Sequence, residues 1–144
     1  MLTNYPTDFN QCLDTLQEYC DVELVIAGDV IYDNEITEHF VDFMVRLHDL
    51  KKLHKNSDHT EFVVAMEKRF LFTLDDLDTV APAYDYFVNL LDPEVFYTKY
   101  DQEKHKISVN YSSLDFPQHF CYERTHELVI ISVIMSTPHS SSES

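Results

Sequence analysis

The sequence predicts an α/β fold: a mostly parallel sheet crossed over by helices and finished by one antiparallel strand. Two observations carry this. Residues 24–31 (LVIAGDVI) and 62–66 (FVVAM) are apolar runs without alternation, which suit strands covered on both faces as in a parallel sheet. Apolar residues at helical spacing separate them and follow them, whereas the last two strand-like runs, near 107–111 and 128–135, have no helical pattern between them and are expected to pair antiparallel.

Taken in order, Phe9, Leu13, Leu16 and Cys20 recur at helical spacing, with Thr7 or Asp8 available as a cap. After the strand at 24–31, Asp33 or Asn34 caps a helix whose Ile36, Phe40, Phe43, Leu47 and Leu50 repeat at 4-3-4-3 spacing. Residues 51–58 read as a charged connection. The strand at 62–66 is flanked by Glu61 and Glu67, and 68–76 (KRFLFTLDD) reads as a loop. Leu77, Val80, Tyr84, Phe87 and Leu91 outline the next helix, in which Pro82 is tolerated only in the first turn. Asp92-Pro93 ends it. Ile107, Val109 and Tyr111 alternate with polar residues as a sheet-edge strand does. A loop containing Phe116-Pro117 leads to the final strand, and the polar residues 137–144 are expected to be a disordered tail on a domain spanning 1–136.

Composition narrows the function. With 44% hydrophobic residues, the 144-residue chain can bury a real core within one domain or part of one. Ten basic residues against 26 acidic ones give a net charge of −16. That balance repels a phosphate backbone and argues against nucleic acid as a partner; a basic protein or peptide fits it better. No run approaches the length of a membrane span, and MLTNYPTDFNQ lacks the basic and apolar regions of a signal peptide. A soluble, intracellular protein is expected. Cys12, Cys20 and Cys121 match neither a zinc site nor a disulfide framework and read as mostly buried thiols. His48, His54 and His59 read as solvated residues of a polar link, without metal-ligand spacing. No metal is expected.

The candidate site follows from the first strand. In an open α/β sheet, ligands sit beyond the carboxyl ends of the strands, so Asp29 and Tyr32 face any reaction the protein performs. Glu67, Lys68 and Arg69 end the next strand and border the same cleft. The plainer alternatives are a turn-capping carboxylate for Asp29, a core-edge aromatic for Tyr32 and a solvated charge cluster for 67–69. Pro117 and Tyr122 lie in a late loop that packing explains, and the Tyr84/Phe87 stripe reads as core. Gly28 is the sole glycine, so the chain holds no glycine-rich cofactor loop.

AGDVIYD at 27–33, AMEKRFLFTLDDLD at 65–78, APAYDYF at 81–87 and DFPQHFCYER at 115–124 resemble the class I S-adenosylmethionine-dependent methyltransferases, and within them the seven-strand protein lysine methyltransferases marked by a DxxY motif. The resemblance runs from about residue 22 to 133. It implies the C-terminal part of a Rossmann-like methyltransferase sheet, strands four to seven with the last antiparallel and helices on both faces, strands one to three being absent from the domain at 1–136. It implies S-adenosylmethionine as cofactor, bound weakly or not at all by this chain alone, because the glycine-rich turn and the ribose-holding acid belong to the first half of the family fold. It implies Asp29 and Tyr32 as the substrate-facing catalytic pair, Ala27 and Gly28 beside the cofactor's methionine end, Asp33, Glu67 and Arg69 as substrate contacts, and a lysine of a protein substrate as methyl acceptor. Nuclear or cytoplasmic placement comes from the same resemblance. The competing expectation is a non-catalytic, shortened isoform that acts as an interaction protein, with another chain covering the exposed edge of the strand at 24–31.

Overall fold

The computed structural model describes residues 19–55, 57–73, 78–121, 123 and 125–138. The expected helix through Phe9 and Leu16 therefore lies outside the described residues. Elements follow in the order β1 (Leu24–Gly28), α1 (Asn34–Lys55), β2 (His59–Glu67), β3 (Leu71–Thr73), β4 (Asp78–Val80), α2 (Pro82–Leu91), α3 (Pro93–Lys99), β5 (Lys106–Tyr111) and β6 (Leu128–Ser136).

The main sheet has the order β1-β2-β6-β5. β1 and β2 are parallel, and β6 is antiparallel to both β2 and β5. Three strands thus run one way and the last strand runs against them, as expected for strands four to seven of a Rossmann-like methyltransferase sheet. The final strand inserts between the second and the edge strand, so β5 is an edge. Its alternation of Ile107 and Val109 with polar residues reflects that position.

One face of the sheet carries the core. Thr60, Phe62, Val64 and Met66 of β2 alternate with less buried neighbours, and their partners Ile131, Val133 and Met135 on β6 lie on the same side. Val41, Met44, Val45 and Leu47 of α1, Phe87 and Leu91 of α2 and Phe96 of α3 belong to the same apolar cluster. The described helices therefore cover this face. The other face presents Glu61, Val63, Ile130, Ser132 and Ile134 half-buried; the resemblance implies helices on both faces, and the expected helix through Phe9 and Leu16 falls outside the described residues.

Several expectations are corrected. β1 ends at Gly28, three residues early, because Asp29 turns the chain with φ 51°. β1 is not covered on both faces among the described residues: Ile26 is 72% and Leu24 43% exposed. α1 runs a full turn past Leu50 to Lys55. The buried Lys51 explains this, since its aliphatic stem packs inward while its ammonium donates 2.7 Å to the Val22 carbonyl. The inward face of α1 is Thr37, Val41, Met44, Val45, Leu47, His48 and Lys51; Phe40 and Phe43 only flank it, and Ile36 is exposed.

His48 is fully buried on α1 rather than solvated in a link, with Nδ1 3.1 Å from Thr60 Oγ1. The segment read as a loop after β2 contains β3, which pairs antiparallel with β4. The next helix starts at Pro82, not Leu77, because proline suits the first helical position and disfavours helix before it. Asp92-Pro93 ends α2 but also begins α3: the Asp92 carboxylate accepts from the Glu94 amide, and Pro93 opens the helix. Cys20 is buried and Cys121 exposed, and neither is disulfide-bonded. Thr137, the first residue of the expected tail, donates its amide to the Asp58 carbonyl at 3.1 Å.

Candidate functional site

Parallel pairing builds the site. Gly28, the last residue of β1, lies in register with Ala65 of β2, so the two strands deliver their following residues to one end of the sheet. The Asp29 amide donates 2.7 Å to the Ala65 carbonyl, which extends the ladder by one bond before the chain departs. Asp29 itself sits in the left-handed region, where a non-glycine residue is held against a steric cost and where aspartate is better tolerated than most. Such residues cluster at functional sites.

Three sequence-predicted residues meet here. The Tyr32 hydroxyl donates to Asp29 Oδ2 at 3.0 Å. Arg69 Nη2 donates to the same oxygen at 2.9 Å, and the guanidinium carbon stands 4.7 Å from the Tyr32 ring centroid. The described contacts of the Asp29 carboxylate thus fall on Oδ2, which leaves Oδ1 as an acceptor. Among the described residues no backbone amide donates to the Asp29 carboxylate, and Tyr32 is 52% exposed rather than seated at the core edge. An open cleft of about 500 Å³ is lined by two of the three, Tyr32 and Arg69, with Ile31, Asp33, Asn34, Leu71, Pro82 and Ala83.

Asp33 lines the cleft but its carboxylate is engaged. Oδ1 accepts from the amides of Glu35 at 2.9 Å and Ile36 at 3.2 Å, the geometry of a helix N-cap. Glu67 ends β2 opposite Leu128 and is exposed; among the described residues it is joined to Asp29, Tyr32 or Arg69 by neither a hydrogen bond nor an ion pair. Lys68 turns instead to the ring of half-buried Tyr84, 4.2 Å from its centroid. Tyr84 hydrogen-bonds Tyr111, and burial together with that bond pushes the Tyr111 phenol upward. Tyr84 nevertheless packs against the core, with Phe87 fully buried in it, so the stripe is core as expected. Pro117 is exposed, and Tyr122 lies outside the described residues. Leu71 and Pro82 were not anticipated at the cleft; β3, the three-residue strand that carries Leu71, is too short to show a period.

Ala27 is buried, while a Cβ built on Gly28 would meet nothing within 4 Å. That open space beside an exposed strand end fits the close approach of a small ligand's backbone-binding end. With one glycine in 144 residues, the chain offers no glycine-rich cradle for the adenosine end of S-adenosylmethionine. No group of three or more His, Cys, Asp or Glu with metal-holding geometry occurs among the described residues, and no described helix is long and apolar enough to cross a membrane.

Comparison with known proteins meets the resemblance read from the sequence motifs. The chain is similar to Methyltransferase-like protein 22 of mouse, with 28% identity over 117 residues, 81% of this chain and 28% of the mouse protein. It is equally similar to Methyltransferase-like protein 22 of Homo sapiens, 28% identical over 116 residues, 81% of this chain and 27% of the human protein. The chain thus spans between a quarter and a third of the curated relatives it matches. No family model matches it, and no solved structure does.

Proposed function

We propose that this chain forms the acceptor side of an S-adenosylmethionine-dependent methyltransferase that modifies lysine side chains of proteins. The observation that carries the reading is the Asp29–Tyr32 pair, hydrogen-bonded at 3.0 Å and placed by parallel strands at the carboxyl end of the sheet. Likeness to Methyltransferase-like protein 22 supports methyl transfer; the lysine acceptor rests on the motif resemblance and on the chemistry of the pair.

When bound, S-adenosylmethionine supplies a methyl group on a sulfonium, and Ala27 and Gly28 would line its methionine end. The residues of this chain act on the acceptor. A lysine amine must be neutral to attack, so it must shed a proton and hold its lone pair in line. The Asp29 carboxylate accepts a hydrogen bond from the amine through Oδ1 and orients it, while Tyr32 holds Asp29 in place from Oδ2. The Tyr32 ring walls the slot and favours a cationic alkylammonium over a neutral group of the same size. The net charge of −16 favours encounter with a basic protein surface.

The test is methyl transfer by the protein immunopurified, through residues 92–106, from cells that express it from its own locus. Label from S-adenosylmethionine on lysine side chains of extract proteins supports the reading; label confined to another residue type contradicts it.

A second reading is favoured by one observation. Among the described residues β1 pairs on one side only, with Ile26 and Leu24 exposed beside an apolar hollow of about 480 Å³ that Tyr19, Val22 and Phe43 also line. Unpaired strand edges of this kind recruit another strand. On this reading the protein is an interaction module and β1 is its contact.

A further inference from the structure

The cation that the Asp29–Tyr32 pair would recognise is already there. Arg69 places one guanidinium nitrogen 2.9 Å from the Asp29 carboxylate and its carbon 4.7 Å from the Tyr32 ring centroid. Those are the two contacts, one ionic and one cation–π, that a lysine ammonium needs from the same residues. A lysine held through Oδ1 would bring a second cation onto a carboxylate and a ring that already carry one, so Arg69 opposes its entry. The Arg69 side chain is 55% exposed and borders the 500 Å³ cleft with Leu71, Pro82 and Ala83, so it has room to leave.

We infer that Arg69 is a built-in competitor for the acceptor slot: it occupies Asp29 and Tyr32 until a lysine presented by a docked protein displaces it. This rests on the acceptor-slot reading above. The consequence is a restriction of substrate class. Exposed ion pairs and cation–π contacts are individually weak, so a lysine whose protein makes further contacts elsewhere can displace Arg69. A free amine brings no such additional contacts. Free lysine and small amines are thereby excluded by an internal cation rather than by the size of the opening. Arg69 acts in this as a specificity-determining residue and takes no part in the transfer step.

The experiment measures binding, not turnover. Tyrosine-ring-labelled protein is titrated with Nα-acetyl-lysine methylamide, and the Tyr32 resonance, assigned by its loss in Tyr32→Phe, is followed by NMR. Arg69→Ala, and the longer neutral Arg69→Gln as a check on the local fold, are expected to bind the probe roughly three- to tenfold more tightly than the unaltered chain. Adding Asp29→Asn to either is expected to abolish that gain. Equal or weaker binding by both Arg69 variants, with the rest of the spectrum unchanged, overturns the competitor role and leaves the acceptor slot standing. Absence of binding in every form, including the Arg69 variants, overturns the slot and the competitor together.

Discussion

The Tyr32 hydroxyl and the Asp29 carboxylate meet at 3.0 Å across one turn of chain, between the end of β1 and the start of α1. On the proposed acceptor-slot reading, the hydroxyl restrains the carboxylate and the ring supplies a wall. These two contributions separate by mutation. Tyr32→Phe keeps the ring and frees Asp29, so a loss of roughly tenfold in kcat with little change in KM is expected, the cost of one orienting hydrogen bond. Tyr32→Ala removes both and is expected to raise KM as well. Steady-state kinetics on lysine peptides distinguishes the two; equal effects from both variants would mean the ring does nothing beyond carrying the hydroxyl.

Asp33 is placed as the cap of α1, with two amides on Oδ1. Asp33→Ala is expected to lower stability by about 1 kcal/mol, read from denaturant midpoints. Asp33→Asn keeps the cap and should leave stability nearly unchanged. A fall in protein-substrate affinity in the asparagine variant, at constant stability, is the outcome that assigns Asp33 a substrate contact in addition to its cap.

His48 makes the fold sensitive to acid. Burial holds its imidazole below the usual value of 6.5, with the positive charges of His105, Lys52 and Lys51 acting in the same direction against the opposing charge of Asp49; Thr60 is its hydrogen-bond partner. Below pH 6.5 the unfolded chain takes up a proton that the folded form resists. Stability therefore falls as the pH drops through that value and is unaffected by this group well above it. His48→Gln, which keeps an amide near Thr60 and removes the titration, is expected to flatten the dependence of Tm on pH between about 7 and 5. An unchanged slope would place the acid sensitivity elsewhere.

The exposed Ile26 on β1 bears on the interaction reading. Ile26→Lys blunts an edge strand in the way natural sheets do. Sedimentation velocity is expected to show less self-association in the variant, with α1 and the core undisturbed because Ile26 points away from the buried cluster. Identical behaviour of both forms would leave β1 without a demonstrated role as a contact.

The existence of β1 and β2 and the cap of α1 were legible because each has a local signature, an apolar run or an aspartate before an amphipathic segment. The end of β1 was not, because the apolar run continues to Ile31 past the turn at Asp29. Asp29, Tyr32 and Arg69 could be nominated from the same local signatures. Their meeting could not be read from local pattern, since it depends on Gly28 pairing with Ala65, a register that no sequence period encodes. β3 and β4 are three residues each, too short to alternate. α3 was hidden because Asp92-Pro93 signals a stop and a start equally well. His48 and Lys51 escaped notice because polar types interrupt the apolar stripe of α1 while lying on its buried face.

The most direct measurement compares lysine methylation by the locus-expressed protein with that of the same protein carrying Asp29→Asn. Asparagine tolerates the left-handed backbone that Asp29 adopts, so the substitution removes the charge and keeps the turn. Loss of at least a hundredfold in lysine labelling, with the protein folded and abundant, is the predicted result. Undiminished labelling would contradict the assignment of Asp29 to the acceptor amine.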